Sequence, residues 1–292
     1  MMGYLLLIAI TFIWGMGFIA VKWTLLHYSA MESNLIRFLI STIFALPIVF
    51  FSKSWKVSRE QVKGVFICSF FLFSLLYLQT WGLTFTSVAK SGFITTLYVF
   101  LTPLLGMLLY GHRYPMSYWI LIFIGMVGIF LLVDMKFDGF NFGDFLTSLC
   151  ALSAAFHIIA VEKFSPLFSS ALIFNCFQIF FVSIMSSIVF ISRQGVIRLD
   201  PLMDLKSYSL WGFFILSIMS SIVAFTFQAS AQKKLPAHVV SMLFLLESPF
   251  AAIMGYLLLG ETLSMTAIIG SGIILLSVAL VPIVARSNQA SL

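Results

Sequence analysis

Charge is what this sequence has least of. Asp, Glu, Lys and Arg make up 9% of its 292 residues, against about 25% in a soluble domain. With 61% hydrophobic residues and a mean hydropathy of +1.11, the chain carries more apolar surface than a water-exposed fold can hide. Cysteine is also rare. Cys68, Cys150 and Cys176 each fall inside an apolar stretch without the spacing of metal ligands, so they read as inert packing residues. Several motifs are missing. There is no G-x-x-x-x-G-K-[ST] phosphate loop, so ATP drive within the chain is not expected. Neither H-E-x-x-H nor G-x-S-x-G occurs, and there is no pair of mid-span acids, which argues against an intramembrane enzyme. No ring of like charge or filter sequence marks a channel. The formal charge of +6 comes from basic residues scattered singly through short connections. They form no run interleaved with aromatics, so nucleic acid is not an expected partner, and orientation in a bilayer explains them better. No metal and no cofactor is expected.

What is present is a series of apolar runs near 20 residues long, the length that crosses a hydrocarbon core of about 30 Å. Ten spans are predicted, at 3–22, 33–51, 63–84, 91–111, 116–133, 143–162, 170–191, 209–231, 238–259 and 265–285. The first run lacks a basic start and a small-residue cleavage site, so it reads as a membrane span rather than a cleaved signal. Charge collects in the connections: Lys53, Lys56, Arg59 and Lys63 in the second, Asp134, Lys136 and Asp138 with Asn141 in the fifth, and Arg193, Arg198, Asp200, Asp204 and Lys206 with Pro201 in the seventh. None is long enough to form a domain. With the N-terminus inside, nine Lys and Arg fall on inner segments and six on outer ones, with Arg37 inside a span. Both termini are therefore expected in the cytoplasm.

The chain also resembles itself. At an offset of 149 residues, Gly106-Met-Leu-Leu-Tyr-Gly111 lies on Gly255-Tyr-Leu-Leu-Leu-Gly260, and Gln79 on Gln228. At an offset of 140, Ile19-Ala-Val21 lies on Ile159-Ala-Val161. The difference falls near the long seventh connection, where insertions are easiest. The expected fold is an all-α integral membrane protein of ten transmembrane helices, built as two five-helix repeats over 1–135 and 136–292. Five is an odd number of crossings, so the second copy enters from the opposite side and the repeats are inverted. Inverted repeats place a binding site near the midplane and expose it to each side in turn, which points to a transporter.

Particular motifs carry a family likeness. The first span holds Trp14-Gly-Met-Gly-Phe18, the second Arg37-Phe38, and the third ends in Gly82-Leu-Thr-Phe-Thr-Ser-Val-Ala-Lys90. The ninth holds Glu247-Ser-Pro249, followed by Gly260-Glu-Thr-Leu263. In order and spacing, the chain resembles the EamA-type ten-helix carriers of the drug/metabolite transporter superfamily over nearly its whole length. It departs from them at Gly111-His112, where a G-E pair is usual, at Pro103, and at Ser248, which splits an E-P pair. The resemblance implies a basket of helices around a central cavity, in proteins that move amino acids, nucleotide-like compounds or drugs.

Ionisable groups inside spans cost at least about 2.5–3.5 kcal/mol near the centre and are functional candidates by default. Glu247 sits mid-span beside Pro249, which frees a backbone carbonyl. It is read as a substrate-amine contact or a proton site, against a structural hydrogen bond. His157, in the middle of the sixth span, is read as a second proton or substrate contact, against a neutral imidazole bonded to a carbonyl. Gln79 and Gln228 are symmetry mates suited to a polar solute, against helix–helix hydrogen bonding. Arg37 is expected to snorkel to the headgroups, with a substrate carboxylate as the alternative partner. Asn175 and Gln178 read as packing groups. Trp14, Tyr77, Trp81 and Tyr98 lie in helices that the resemblance lines up along the cavity, and Trp14, Tyr77 and Tyr98 join the expected substrate site. Trp55, Trp119 and Trp211 fit an interfacial belt. Gly125-x-x-Gly128 and Gly270-x-Gly272 suggest close helix contact.

The expectation is a secondary transporter of small metabolites in the inner membrane, with amino acids or related zwitterions favoured, proton coupling through Glu247 or His157, and a small molecule and the lipid bilayer as partners. An intramembrane enzyme and a channel or structural membrane partner are the alternatives.

Overall fold

The computed structural model describes residues 2–52, 56–133, 139–193, 200–260 and 262–289. Lys53, Trp55, Asp134, Lys136, Asp138, Arg198 and Glu261 lie outside the described residues, as do the side chains of Pro201 and Arg286. The described chain is helical, and ten helices are long and apolar enough to cross a membrane: α1 (Met2–Leu25), α2 (Ala30–Phe51), α3 (Arg59–Gly82), α4 (Lys90–Tyr110), α5 (Met116–Val133), α6 (Phe142–Leu167), α7 (Ala171–Ser192), α8 (Tyr208–Gln232), α9 (Ala237–Leu258) and α10 (Met265–Val284). All ten match the spans read from the sequence. The largest disagreement is at the end of α6, where a 3-10 turn over Ser165–Leu167 extends the span. The protein is a multi-pass membrane protein.

Local sequence explains where several helices begin. Ser29 with Glu32, Ser58 with Gln61, and Asn141 with Asp144 each form a capping box that satisfies the first free N–H groups of α2, α3 and α6. The apolar pattern does not form one stripe per helix, because the outer faces meet lipid. Ile43, Phe123 and Ile191 are more than half exposed on that surface, as the bilayer allows.

The helices pack in a regular scheme. α5 lies on α10, α2 on α7, and α4 on α9; α3 packs on α6 and α1 on α8; α4 packs on α6 and α1 on α9; α3 packs on α7 and α2 on α8. Exchanging each helix with the one five places away returns the same set of pairs, a pattern compatible with two like five-helix units. Two backbone details follow the 149-residue offset. α4 is interrupted between a helix ending at Thr95 and one starting at Tyr98, and α9 carries a 3-10 turn at Phe244–Leu246. Both helices then end on a left-handed glycine, Gly111 at φ 67° and Gly260 at φ 66°, a conformation that penalises any residue with a Cβ.

Close packing is clearest between α5 and α10. A Cβ on Gly128 would stand 2.9 Å from the Gly270 carbonyl oxygen, and one on Gly270 would collide with the Gly128 carbonyl. The expected second close glycine of α10 is different: nothing lies within 4 Å of a Cβ on Gly272.

α8 departs most from regular geometry. Residues Ile215–Ala224 form a π-helix, a form that appears mostly at functional sites and leaves carbonyls for other donors. Those carbonyls are used. Ser41 on α2 donates to Ser217 O at 3.0 Å, and Asn175 Nδ2 on α7 donates to Ser221 O at 2.9 Å and Ile222 O at 3.0 Å.

Candidate functional site

A central cavity lies where α1, α2, α3, α4, α6, α8 and α9 converge. Its volume is about 80 Å³. Trp14, Gln79, Tyr98, His157, Gln228 and Glu247 all line it, so six of the seven expected site residues meet in one place. Tyr77 does not. It faces away from the cavity along α3, stacked on Phe73 at 5.5 Å and tilted against Trp81 at 6.0 Å. Trp81 in turn meets Phe142 edge-on at 5.7 Å near the end of α3. The helix that carries Gln79 therefore turns these two rings elsewhere, and the likeness to a cavity-lining helix could not distinguish its faces.

Arg37 is the main correction. It does not reach the headgroups: it is 3% exposed and lines the cavity. Its Nε donates to Ser221 Oγ at 2.8 Å and its Nη2 to Ser220 Oγ at 2.9 Å. Both hydroxyls come from the π-helical segment of α8. No carboxylate among the described residues pairs with it. Glu247, at the start of the second half of α9, lines the same cavity and makes no hydrogen bond or ion pair with a described residue. One cavity thus holds a cation and a carboxylate that do not pair with each other.

The neutral polar groups are ordered around these charges. His157 Nε2 lies 3.3 Å from Gln178 Oε1. Because a carboxamide oxygen only accepts, that ring nitrogen is the donor. Gln178 is therefore a support for a cavity residue and not mere packing, and Asn175 is a clamp on the π-helix. Gln79 Nε2 is 3.5 Å from Thr95 Oγ1. Gln228 Nε2 donates to Gln232 Oε1 at 2.8 Å. Aromatic rings fill much of the remaining wall: Trp14 stands 4.8 Å from Phe244 and 5.1 Å from Phe225, and Tyr98 is 6.4 Å from Phe244 at a steep angle.

The sequence reading missed Ser220, Ser221, Phe225, Phe244 and Gln232. The run of small polar residues Ser217, Ser220 and Ser221 in an otherwise apolar span was the available signal for the first two. Nothing in the sequence marked the others.

Two polar clusters join helices toward the two ends of the bundle. On the side of the chain termini, the Tyr118 hydroxyl donates to His238 O at 2.6 Å, Tyr114 packs on the His238 ring at 4.8 Å, and His112 Nδ1 lies 3.2 Å from the Tyr114 oxygen. Burial pushes the Tyr114 phenol up to about 12, so it stays protonated as a hydrogen-bonding group. On the other side, Lys90 Nζ meets Asp144 Oδ2 at 2.7 Å, and Thr86 Oγ1 donates to Asp144 Oδ1 at 2.7 Å. Asp144 is fully buried there. Among the described residues, no cluster of three or more His, Cys, Asp or Glu is placed to hold a metal ion.

Comparison with known proteins agrees with the fold and the class. The model of the EamA-like transporter family matches residues 1–134 and 141–282. An uncharacterized transporter of Archaeoglobus fulgidus is 29% identical over 274 residues, covering 93% of this chain and 83% of that protein. A solved crystal structure superposes with a TM-score of 0.77 over 98% of each chain at 15% identity, a likeness of fold alone.

Proposed function

Because this chain belongs to the EamA-like transporter family, we propose that it is a secondary carrier of small zwitterions, amino acids or close relatives, working by alternating access. The observation that carries this reading is that Arg37 and Glu247 line one cavity with no ion pair to each other or to another described residue. A carboxylate there without a described partner is costly, and a solute bearing both charges would meet Glu247 and Arg37 at once. Its carboxylate would meet the fork of Arg37, and its ammonium group Glu247. The order of charges also rejects solutes of one sign, since either would leave one protein charge without a partner.

The repeat supports the mechanism. In this reading residues 1–135 and 136–292 are two copies of opposite orientation, and rocking of one against the other exposes the site to each side in turn. The interruptions in α4 and α9 and the paired terminal glycines supply matching hinges. The layer formed by Tyr114, Tyr118 and His238 is the closed gate on the side of the termini. The count of nine basic residues against six supports a cytoplasmic position for that side, in an inner membrane. Glu247 is the proton-coupling group, with His157 as its alternate. No catalytic step is assigned to these residues.

The test is counterflow. Proteoliposomes loaded with a mixed metabolite extract are assayed by mass spectrometry for solutes that exchange only when the protein is present. Exchange of amino acids or similar zwitterions is the expected result. No exchange of any solute by folded protein overturns the proposal, and chemical conversion of a solute would restore the enzyme reading. Glu247→Gln should flatten the pH dependence of transport; a full pH response in that variant removes the proton role of Glu247.

A further inference from the structure

Gln232 lies one helical turn beyond Gln228 on α8 and is not part of the cavity wall. Its Nε2 donates to the backbone carbonyl of Ile158 on α6 at 2.7 Å. A backbone carbonyl only accepts, so this contact fixes which end of the Gln232 amide is nitrogen. Its oxygen is left to accept from Gln228 Nε2. That contact fixes Gln228 in turn. The Gln228 oxygen is an acceptor on a side chain 1% exposed, and no donor among the described residues reaches it. The Tyr98 oxygen, on α4, is also buried and without a partner. Glu247, on α9, lines the same cavity as Tyr98 and Gln228. Three helices thus bring Tyr98, Gln228 and Glu247 to one cavity, with no donor among the described residues to match their oxygens. Buried acceptors left in this state are rare and costly.

Resting on the zwitterion reading, we propose that Gln228 Oε1, the Tyr98 hydroxyl and the Glu247 carboxylate receive a primary ammonium group, and that Gln232 is the positioning residue that sets the polarity of the set. An –NH3⁺ group has three donors, one for each oxygen. A trimethylammonium group has the same charge and no donor. The nearby rings of Trp14, Phe225 and Phe244 can attract a methylated cation, but they do nothing for the three oxygens. The carrier therefore selects primary amines over their N-trimethyl forms, and an amide outside the cavity determines that choice.

The experiment is counterflow in proteoliposomes, first with the twenty protein amino acids, then with the N-trimethyl derivatives of those that exchange. The unaltered protein should prefer the primary amines by at least about a hundredfold at sub-saturating concentration, as a site built around buried acceptors does. Gln232→Leu frees the Gln228 amide to turn, and the preference should fall about tenfold, the weight of one charge-assisted hydrogen bond, through a higher KM for the primary amine alone. Gln228→Met should give the same fall, and adding Gln232→Leu to it should change the ratio no further. Equal transport of both forms by the unaltered protein overturns the proposal, as does a Gln232→Leu protein that loses both substrates in proportion. If no amino acid exchanges at all, the zwitterion reading itself has failed and takes this proposal with it.

Discussion

Replacing Arg37 by methionine separates binding from stability, because the two effects have different sizes. The guanidinium is 3% exposed, and an ionised group within the bilayer core costs at least about 2.5–3.5 kcal/mol. Its bonds to Ser220 and Ser221 return about 1.5 kcal/mol each, the lower value for a charged donor. Ser221 has a second partner in any case, the Leu216 carbonyl at 2.9 Å. Cost and return nearly cancel. Arg37→Met should therefore shift stability by less than about 1 kcal/mol and the thermal midpoint in detergent by no more than about 3 °C. Transport should respond far more. A substrate carboxylate that loses its cation forfeits about 1.5–3 kcal/mol, which is roughly a 10- to 150-fold rise in KM. An amine of the same shape without a carboxylate should be transported no worse than before. The assay pairs a fluorescence melt with counterflow of the two solutes. A midpoint lowered by more than about 10 °C, with both solutes lost alike, would mean that Arg37 is a structural pin for the π-helix and not a substrate contact.

Other perturbations follow from described contacts. Asp144→Asn breaks a pair whose acid is fully buried while Lys90 keeps the Gly139 carbonyl at 2.5 Å; the loss should be about 3 kcal/mol, the low end for one half of a buried pair, and the double replacement Lys90→Met with Asp144→Asn, which keeps an acceptor for Thr86 and the Asn141 N–H, should cost less, both read by thermal melting. Gly270→Val drives a side chain into the Gly128 carbonyl and the backbone of Leu131 and Leu132; overpacking of this kind costs about 1–3 kcal/mol or more, and a melt unchanged from the parent would refute the contact. Tyr118→Phe removes the bond to His238 O, worth about 1 kcal/mol. A cysteine placed at Ala154 on the cavity wall should then react several times faster with an impermeant maleimide from the side of the termini, and an unchanged rate would show that this layer is not the gate.

Much of the architecture was legible because bilayer crossing imposes a length that any apolar run displays. All ten spans could be drawn for that reason, and Gly111 and Gly260 could be matched because a left-handed helix end favours glycine strongly enough to survive in both halves. The site was legible in its polar members, since Gln79, His157, Gln228 and Glu247 stand out against hydrocarbon. What stayed hidden were facts about facing. Tyr77 and Gln79 are two positions apart on α3, and helical geometry sends them to different sides. A helix dipeptide gives no sign of which side is lipid when both faces are apolar. The π-helix was hidden for another reason. Its residue count per turn differs from the 3.6 that a sequence pattern assumes, and it carries Ser220 and Ser221, the two hydroxyls that Arg37 bonds.

The partners of Arg37 stand 184 and 183 residues later in the chain, and this separation bears on how the protein is made. At about 5–20 residues per second, α8 leaves the ribosome roughly 10–40 s after α2. During that interval the guanidinium has no serine hydroxyls to hold it. Arg37 lies seven residues inside the first residue of α2, about 10 Å along the axis, close enough for a long side chain to reach the headgroups. Snorkelling is thus the expected posture of the nascent chain, and burial is that of the folded one. The burial of Arg37 in α2 therefore waits on α8, and truncation before α8 should leave α2 anchored at the interface by the same residue that faces the cavity in the folded chain.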